Sequence, residues 1–272
     1  MVDNWYPGEM LQADDRYAVK SVDLLAARAA RAFHEYVPLR TNPLETGRVY
    51  RRIACGPSLD VFFLDLRSYR GPNGRNDQSS ASADTAYLGG DQIRWLKQAL
   101  LASRATWKVI ASDMPLGLIV YDDWKTRSTF ENGANGDGPP RGRELEIADL
   151  LRFIKLNAVR NTVWLTADVH YTAAHRYDPN RAAFQDFEPF WEFVSGPIHA
   201  GSFGPNGLDD TFGPEVVFSS HPDAGLVNLP PWDGKQFFGH VEIDGATEAM
   251  TVTLKDIADR SLWSTTLEPE LS

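Results

Sequence analysis

Three short apolar runs rich in β-branched and aromatic residues, at 58–66, 107–111 and 163–167, alternate with stretches of helical periodicity. The first helical stretch opens at an Asp91 N-cap and carries Ile93, Leu96 and Leu100 on its buried stripe. The second carries Ile147, Leu150, Leu151 and Ile154. A strand buries both faces or one, a helix buries a stripe, and alternation of the two packs best as layers, so the pattern predicts a layered α/β domain. Each run also closes on polar residues: Asp65 with Arg67 and Arg70, Asp113 before Pro115, and Asp168 with His170. The C-terminal mouth of such strands is where open α/β sheets place their sites.

Around this middle the chain is simpler. Residues 1–20 read as loop, and Ser21 is placed to cap a helix to about Val37, with Leu25, Ala29, Ala32, Phe33 and Tyr36 on one face and Pro38 as its stop. Downstream of residue 190, Gly-Pro and Asn-Gly turn signals crowd together and no long helix is expected. Residues 239–254 alternate about Asp244-Gly245 as a hairpin, with Met250, Val252 and Leu254 on one face. No repeat or linker divides the chain, which reads as one domain over residues 1–272.

Asp168 and His170 are two residues apart at a strand end, so both side chains reach one point, and a hard carboxylate beside an imidazole suits a metal ion. An Asp cap with a packed histidine is the other reading of the same residues. Arg67 and Arg70 offer planar forks for a phosphate or carboxylate, or form a local ion-pair network with Asp65. Asp137, set among glycines, reads on its own as a turn residue. His175 reads as a surface side chain, Cys55 as inert, and Trp95, Trp107, Trp124 and Trp164 as core.

No nucleophile elbow, P-loop or dinucleotide fingerprint occurs. A net charge of −10 disfavours nucleic acid or an anionic membrane surface as the main partner. No apolar run reaches the length of a membrane span, and the start of the chain lacks the basic flank and apolar core of an export signal, which leaves the location open.

Taken together, the segments resemble the alkaline phosphatase D family of metallophosphoesterases, in its C-terminal part. The pieces are Asn4-Trp-Tyr-Pro-Gly-Glu9, Ala32-Phe-His-Glu-Tyr-Val-Pro-Leu39, Phe63-Leu-Asp-Leu-Arg-Ser-Tyr-Arg70, Leu88-Gly-Gly-Asp-Gln92 and Ala105-Thr-Trp-Lys-Val-Ile110. Further on come Asp137-Gly138 with Arg143-Glu144, Asp168-Val-His170 and Trp191-Glu-Phe-Val194. The resemblance implies an α/β/β/α sandwich and a metal-dependent hydrolysis of small phosphate esters, with iron and calcium or another divalent ion as cofactors. It implies Asn4 and Asp137 as ligands of the divalent ion or ions, Asp168 as an iron ligand and His170 as a neighbouring ligand. The part of Arg67 and Arg70 as phosphate contacts is a chemical inference from their guanidinium groups.

Family members also carry, ahead of the Asn-Trp segment, acidic motifs that supply a bridging carboxylate and much of the iron site. This chain starts after that point, so several central strands and half of the metal site are expected to be missing. The expectation is therefore a weak metal site with little turnover, or a non-catalytic chain that binds a partner through an incomplete sheet edge.

Overall fold

A computed structural model describes residues 2–40 and 47–270. Its centre is a seven-stranded mixed sheet built from β1 (Arg51–Cys55), β2 (Leu59–Phe63), β3 (Trp107–Ala111), β4 (Thr162–Thr166), β5 (Thr172–Tyr177), β6 (Phe190–Val194) and β7 (Pro214–Ser220). The strand order is β1-β2-β3-β4-β6-β5-β7. The neighbours β2, β3, β4 and β6 run parallel, so the ends of β2, β3 and β4 open on the same edge. β1, β5 and β7 join antiparallel.

Period-2 alternation sends the residues of each strand to two different cores. Phe62, Ile110, Trp164 and Phe190 face the helices α2 (Gly90–Ala102) and α3 (Glu144–Leu156), which bury Ile93, Leu96 and Leu100 and Ile147, Leu150, Leu151 and Ile154. Trp107, Val109, Val163 and Phe193 face a second, antiparallel sheet of β8 (Phe237–Ile243), β9 (Met250–Asp256) and β10 (Ser261–Leu267). Met250, Val252 and Leu254 fill that interface, as the hairpin pattern requires. Helices, large sheet and small sheet thus form three packed layers.

Four details depart from the sequence pattern. The helix α1 (Val22–Tyr36) forms behind its Ser21 cap but buries only Val22, and Tyr36 is 86% exposed. Asp91 lies inside the first turn of α2, paired with Arg94, and Gly89 holds the cap position. Trp124 is half exposed where a core residue was expected. His175 is not a surface residue: it is 1% exposed and bonds Glu192 at 3.0 Å. Glu192 also accepts from Tyr177 and from the amide of Leu116, so the loop after β3 is tied to β5 and β6 by a buried polar network. Among the described residues no helix is long and apolar enough to cross a membrane.

Candidate functional site

The turn after β2 is set by Gln92, which bonds both the amide and the carbonyl of Asp65 at 2.8 and 2.9 Å. The Asp65 carboxylate accepts from the amides of Arg67 and Ser68, which curls the chain and turns the Arg67 side chain inward. Arg67 forms an ion pair with Glu131 and lies 3.9 Å from Asp113, two residues past the end of β3. At the end of β4 the backbone of Asp168 is left-handed, with φ of 61°, a conformation that Asp tolerates and that clusters at functional sites.

The electrostatics identify which charges share this space. Burial pushes the Asp168 carboxyl up to about 7, the Glu131 and Asp113 carboxylates add to the rise, Arg67 opposes it, and Asp3 contributes from the start of the chain. Burial raises Glu131 as well, against the pull of Arg67 and Arg70. Asp113 is raised by the protein crowded round it, tempered by Arg67, and its side chain stays 45% open to the cleft. Carboxylates that raise one another's proton affinity are relieved by a cation, and their oxygens are the donors that a hard metal ion takes.

His170 lies two residues past Asp168, but among the described residues the one group of three acid or imidazole ligand atoms within 4.8 Å of one another is Asp137, Asp209 and Asp210. A carbonyl oxygen only accepts, so the bond between His170 Nδ1 and the Gly201 carbonyl places the ring proton on Nδ1. Nε2 then keeps its lone pair, and the ring is held by stacking on Phe203 at 4.4 Å. An imidazole donating one N–H to a backbone carbonyl while the other nitrogen stays free is the usual arrangement of a metal-binding histidine.

Behind the carboxylates sit two buried arginines. Arg70 donates to the Glu131 carbonyl and to Asn73, and burial with Arg67 nearby lowers it to about 10, still a cation at neutral pH. Its Nε and Nη1, and Arg67 Nη1, are buried donors with no partner among the described residues. Arg143, fully buried, donates to the carbonyls of Glu131, Gly71 and Pro72 and so holds the 130–132 and 71–73 segments together. Asn73 also bonds the Asn4 carbonyl at 2.7 Å, which brings Asn4 to this end of the sheet.

Asp137 lies in a different group. Its carboxylate accepts from the Asp210 amide, and oxygens of Asp137, Asp209 and Asp210 lie within 4.8 Å of one another. Asp209 is pinned by the amides of Asn135 and Gly136, and the buried Glu144 beside it is pushed up to about 9 by burial and by the Asp209 charge. The structure therefore gathers Asp168, Arg67, Arg70 and Asn4 near one strand mouth, adds Asp113 and Glu131, and puts Asp137 with Asp209 and Asp210. Asp113 was legible as a third acid at a strand end. Glu131 had no such signal, because its place depends on Arg67 and Arg143. A cavity of about 710 Å³ opens at the opposite end of β4, lined by Arg160, Asn161 and Thr162, and has no part in this cluster.

Residues 1–254 match the family model described as PhoD-like phosphatase. Among curated proteins the chain is similar to alkaline phosphatase D of Bacillus subtilis (strain 168), with 28% identity over 225 aligned positions that cover 78% of this chain and 36% of that protein. Among solved structures it is similar to "Structure of PhoD", with a TM-score of 0.56 and 22% identity over 97% of this chain and 53% of that one. The chain thus spans between a third and about half of the length of these relatives.

Proposed function

The chain belongs to the PhoD-like phosphatase family, and on that premise we propose that the mouth of β2, β3 and β4 is the site of a metal-dependent phosphoester hydrolase acting on phosphomonoesters or phosphodiesters. The observation that carries this reading is the pairing of unpartnered, buried guanidinium N–H groups on Arg67 and Arg70 with a mutually raised carboxylate cluster. The first group suits phosphate oxygens and the second suits a cation.

In this reading Asp168, His170 Nε2 and Asp113 hold one ion, with Asn4 at its margin, and Asp137 holds a divalent ion with Asp209 and Asp210. Iron and calcium are the ions that the family resemblance suggests. Bound metal supplies Lewis acidity and a hydroxide nucleophile at neutral pH. Arg67 and Arg70 orient the phosphoryl group, Glu131 fixes Arg67, and Gly201 with Phe203 fixes the imidazole. The α/β/β/α sandwich is the layer plan in which the three packed layers fit.

Turnover by the 272-residue polypeptide alone is slow in this account. Glu131 is committed to Arg67, and the remaining donors are two carboxylates and one imidazole, fewer than a closely spaced ion pair needs. A second reading is a non-catalytic chain that binds a partner along an open sheet edge. It is favoured by β1, an edge strand whose residues from Arg52 to Cys55 are exposed. Hydrolysis of bis-p-nitrophenyl phosphate separates the two: turnover above background that Asp168→Asn abolishes supports the enzyme, and turnover unaffected by Asp168→Asn contradicts the site.

A further inference from the structure

Beside the strand-mouth cluster, the loops at 75–77, 126–130 and 135–141 border an open polar cavity of about 600 Å³. One segment lines both spaces, since Glu131 pairs with Arg67 while the adjacent Phe130 lines the cavity. The walls are tied to one another. The Phe130 amide donates to the Gly74 carbonyl at 2.9 Å, the Asn135 side chain donates to the Asn76 carbonyl at 2.7 Å, and the Gly142 amide donates to the Gln78 carbonyl at 2.8 Å. A cavity of this size held by backbone ties is a preformed ligand space.

Its charge runs against that of the molecule. The chain carries −10 overall, yet the cavity is lined by Arg75, Arg127 and Arg141 against Asp77 and Asp137. Arg75 is neutralised by Asp77 at 3.1 Å. Arg127 rests over Tyr121, whose ring stacks on Phe130 at 5.3 Å, and among the described residues neither Arg127 nor Arg141 has a carboxylate partner. Two free guanidinium groups with the Ser128 hydroxyl are the donors that an oxyanion takes.

We infer that this cavity receives a second phosphate of the substrate, so that the chain selects small esters bearing at least two phosphate groups over simple monoesters. The inference rests on the phosphoester reading of the neighbouring cluster and names its substrate class. Arg127 and Arg141 are exposed, so their replacement leaves the packed layers untouched.

The test is calorimetric titration of the metal-free 272-residue polypeptide with tripolyphosphate, for wild type, for the Arg127→Gln/Arg141→Gln double variant and for Arg67→Gln. Loss of at least about tenfold in affinity in both variants is expected, by the usual strength of charge-assisted hydrogen bonds. Loss in Arg67→Gln alone overturns the second-phosphate site and leaves the phosphoester reading intact. Loss in the double variant alone overturns the link between the two spaces, and no loss in either variant overturns both readings.

Discussion

His170 Nδ1 donates to the Gly201 carbonyl, which leaves Nε2 as the ring nitrogen with a free lone pair. Replacing His170 with Ala is expected to weaken metal binding at least about 100-fold. Removing the stacked ring by Phe203→Ala, which frees the imidazole without deleting it, is expected to cost about tenfold, the scale of outer-shell support. Calorimetric titration with ferrous or manganous ion measures both. Equal metal affinity in His170→Ala and wild type would remove the imidazole from the site.

Asp168 gives a prediction of opposite sign for stability. Its folded value near 7 lies above the unfolded carboxylate value of about 3.9, so the native state holds the proton more tightly. That contribution is complete below about pH 4 and is lost as pH rises through 7. Asn mimics the protonated form and tolerates a left-handed backbone. Asp168→Asn should therefore leave the Tm of the metal-free protein unchanged at pH 4 and raise it by about 4 °C at pH 8. A lower Tm at pH 8 in the variant would contradict the like-charge cluster.

Glu144 carries the same logic to higher pH. Its carboxyl, raised to about 9 by burial and by Asp209, contributes stability that disappears as pH climbs from the ordinary carboxylate range through 9. With chelator present, the wild-type Tm should fall between pH 6 and pH 9.5. Glu144→Gln should flatten that fall, and parallel curves for the two proteins would show that Glu144 does not titrate in this range.

Arg143 is expected to matter for folding more than for chemistry. It is fully buried and holds carbonyls of the 71–73 and 130–132 segments together. Arg143→Met leaves the Gly71 and Pro72 carbonyls without this donor, while Arg70 still reaches the Glu131 carbonyl, and should cost at least about 3 kcal/mol in urea unfolding. Arg67→Gln breaks the ion pair with Glu131 but leaves the backbone of that loop held by Arg143 and Arg70, so it should weaken phosphate binding at a smaller cost in stability than Arg143→Met. Reversed outcomes for the two arginines would exchange their roles.

The parts of this arrangement written locally were legible in the sequence. β2, β3 and β4, their polar ends, the stripes of α2 and α3 and the β8–β9 hairpin all follow from periodicity and turn residues. What depends on distant partners was not. Glu131 becomes a site residue only because Arg67 and Arg143 draw its loop across the strand ends. His175 is buried with its ring nitrogen hydrogen-bonded to Glu192 on the neighbouring strand. β1 lacks an apolar pattern because it is an exposed edge, and its hydrogen bonds to β2 define it. Asp137 takes its neighbours, Asp209 and Asp210, from a loop more than seventy residues away.

The most direct test of the central claim is anomalous diffraction from crystals of this polypeptide soaked in manganous ion. The account predicts an anomalous peak within about 2.0–2.6 Å of Asp168 and of His170 Nε2, absent in Asp168→Asn crystals. A peak confined to Asp137, Asp209 and Asp210, with none at Asp168, would contradict it.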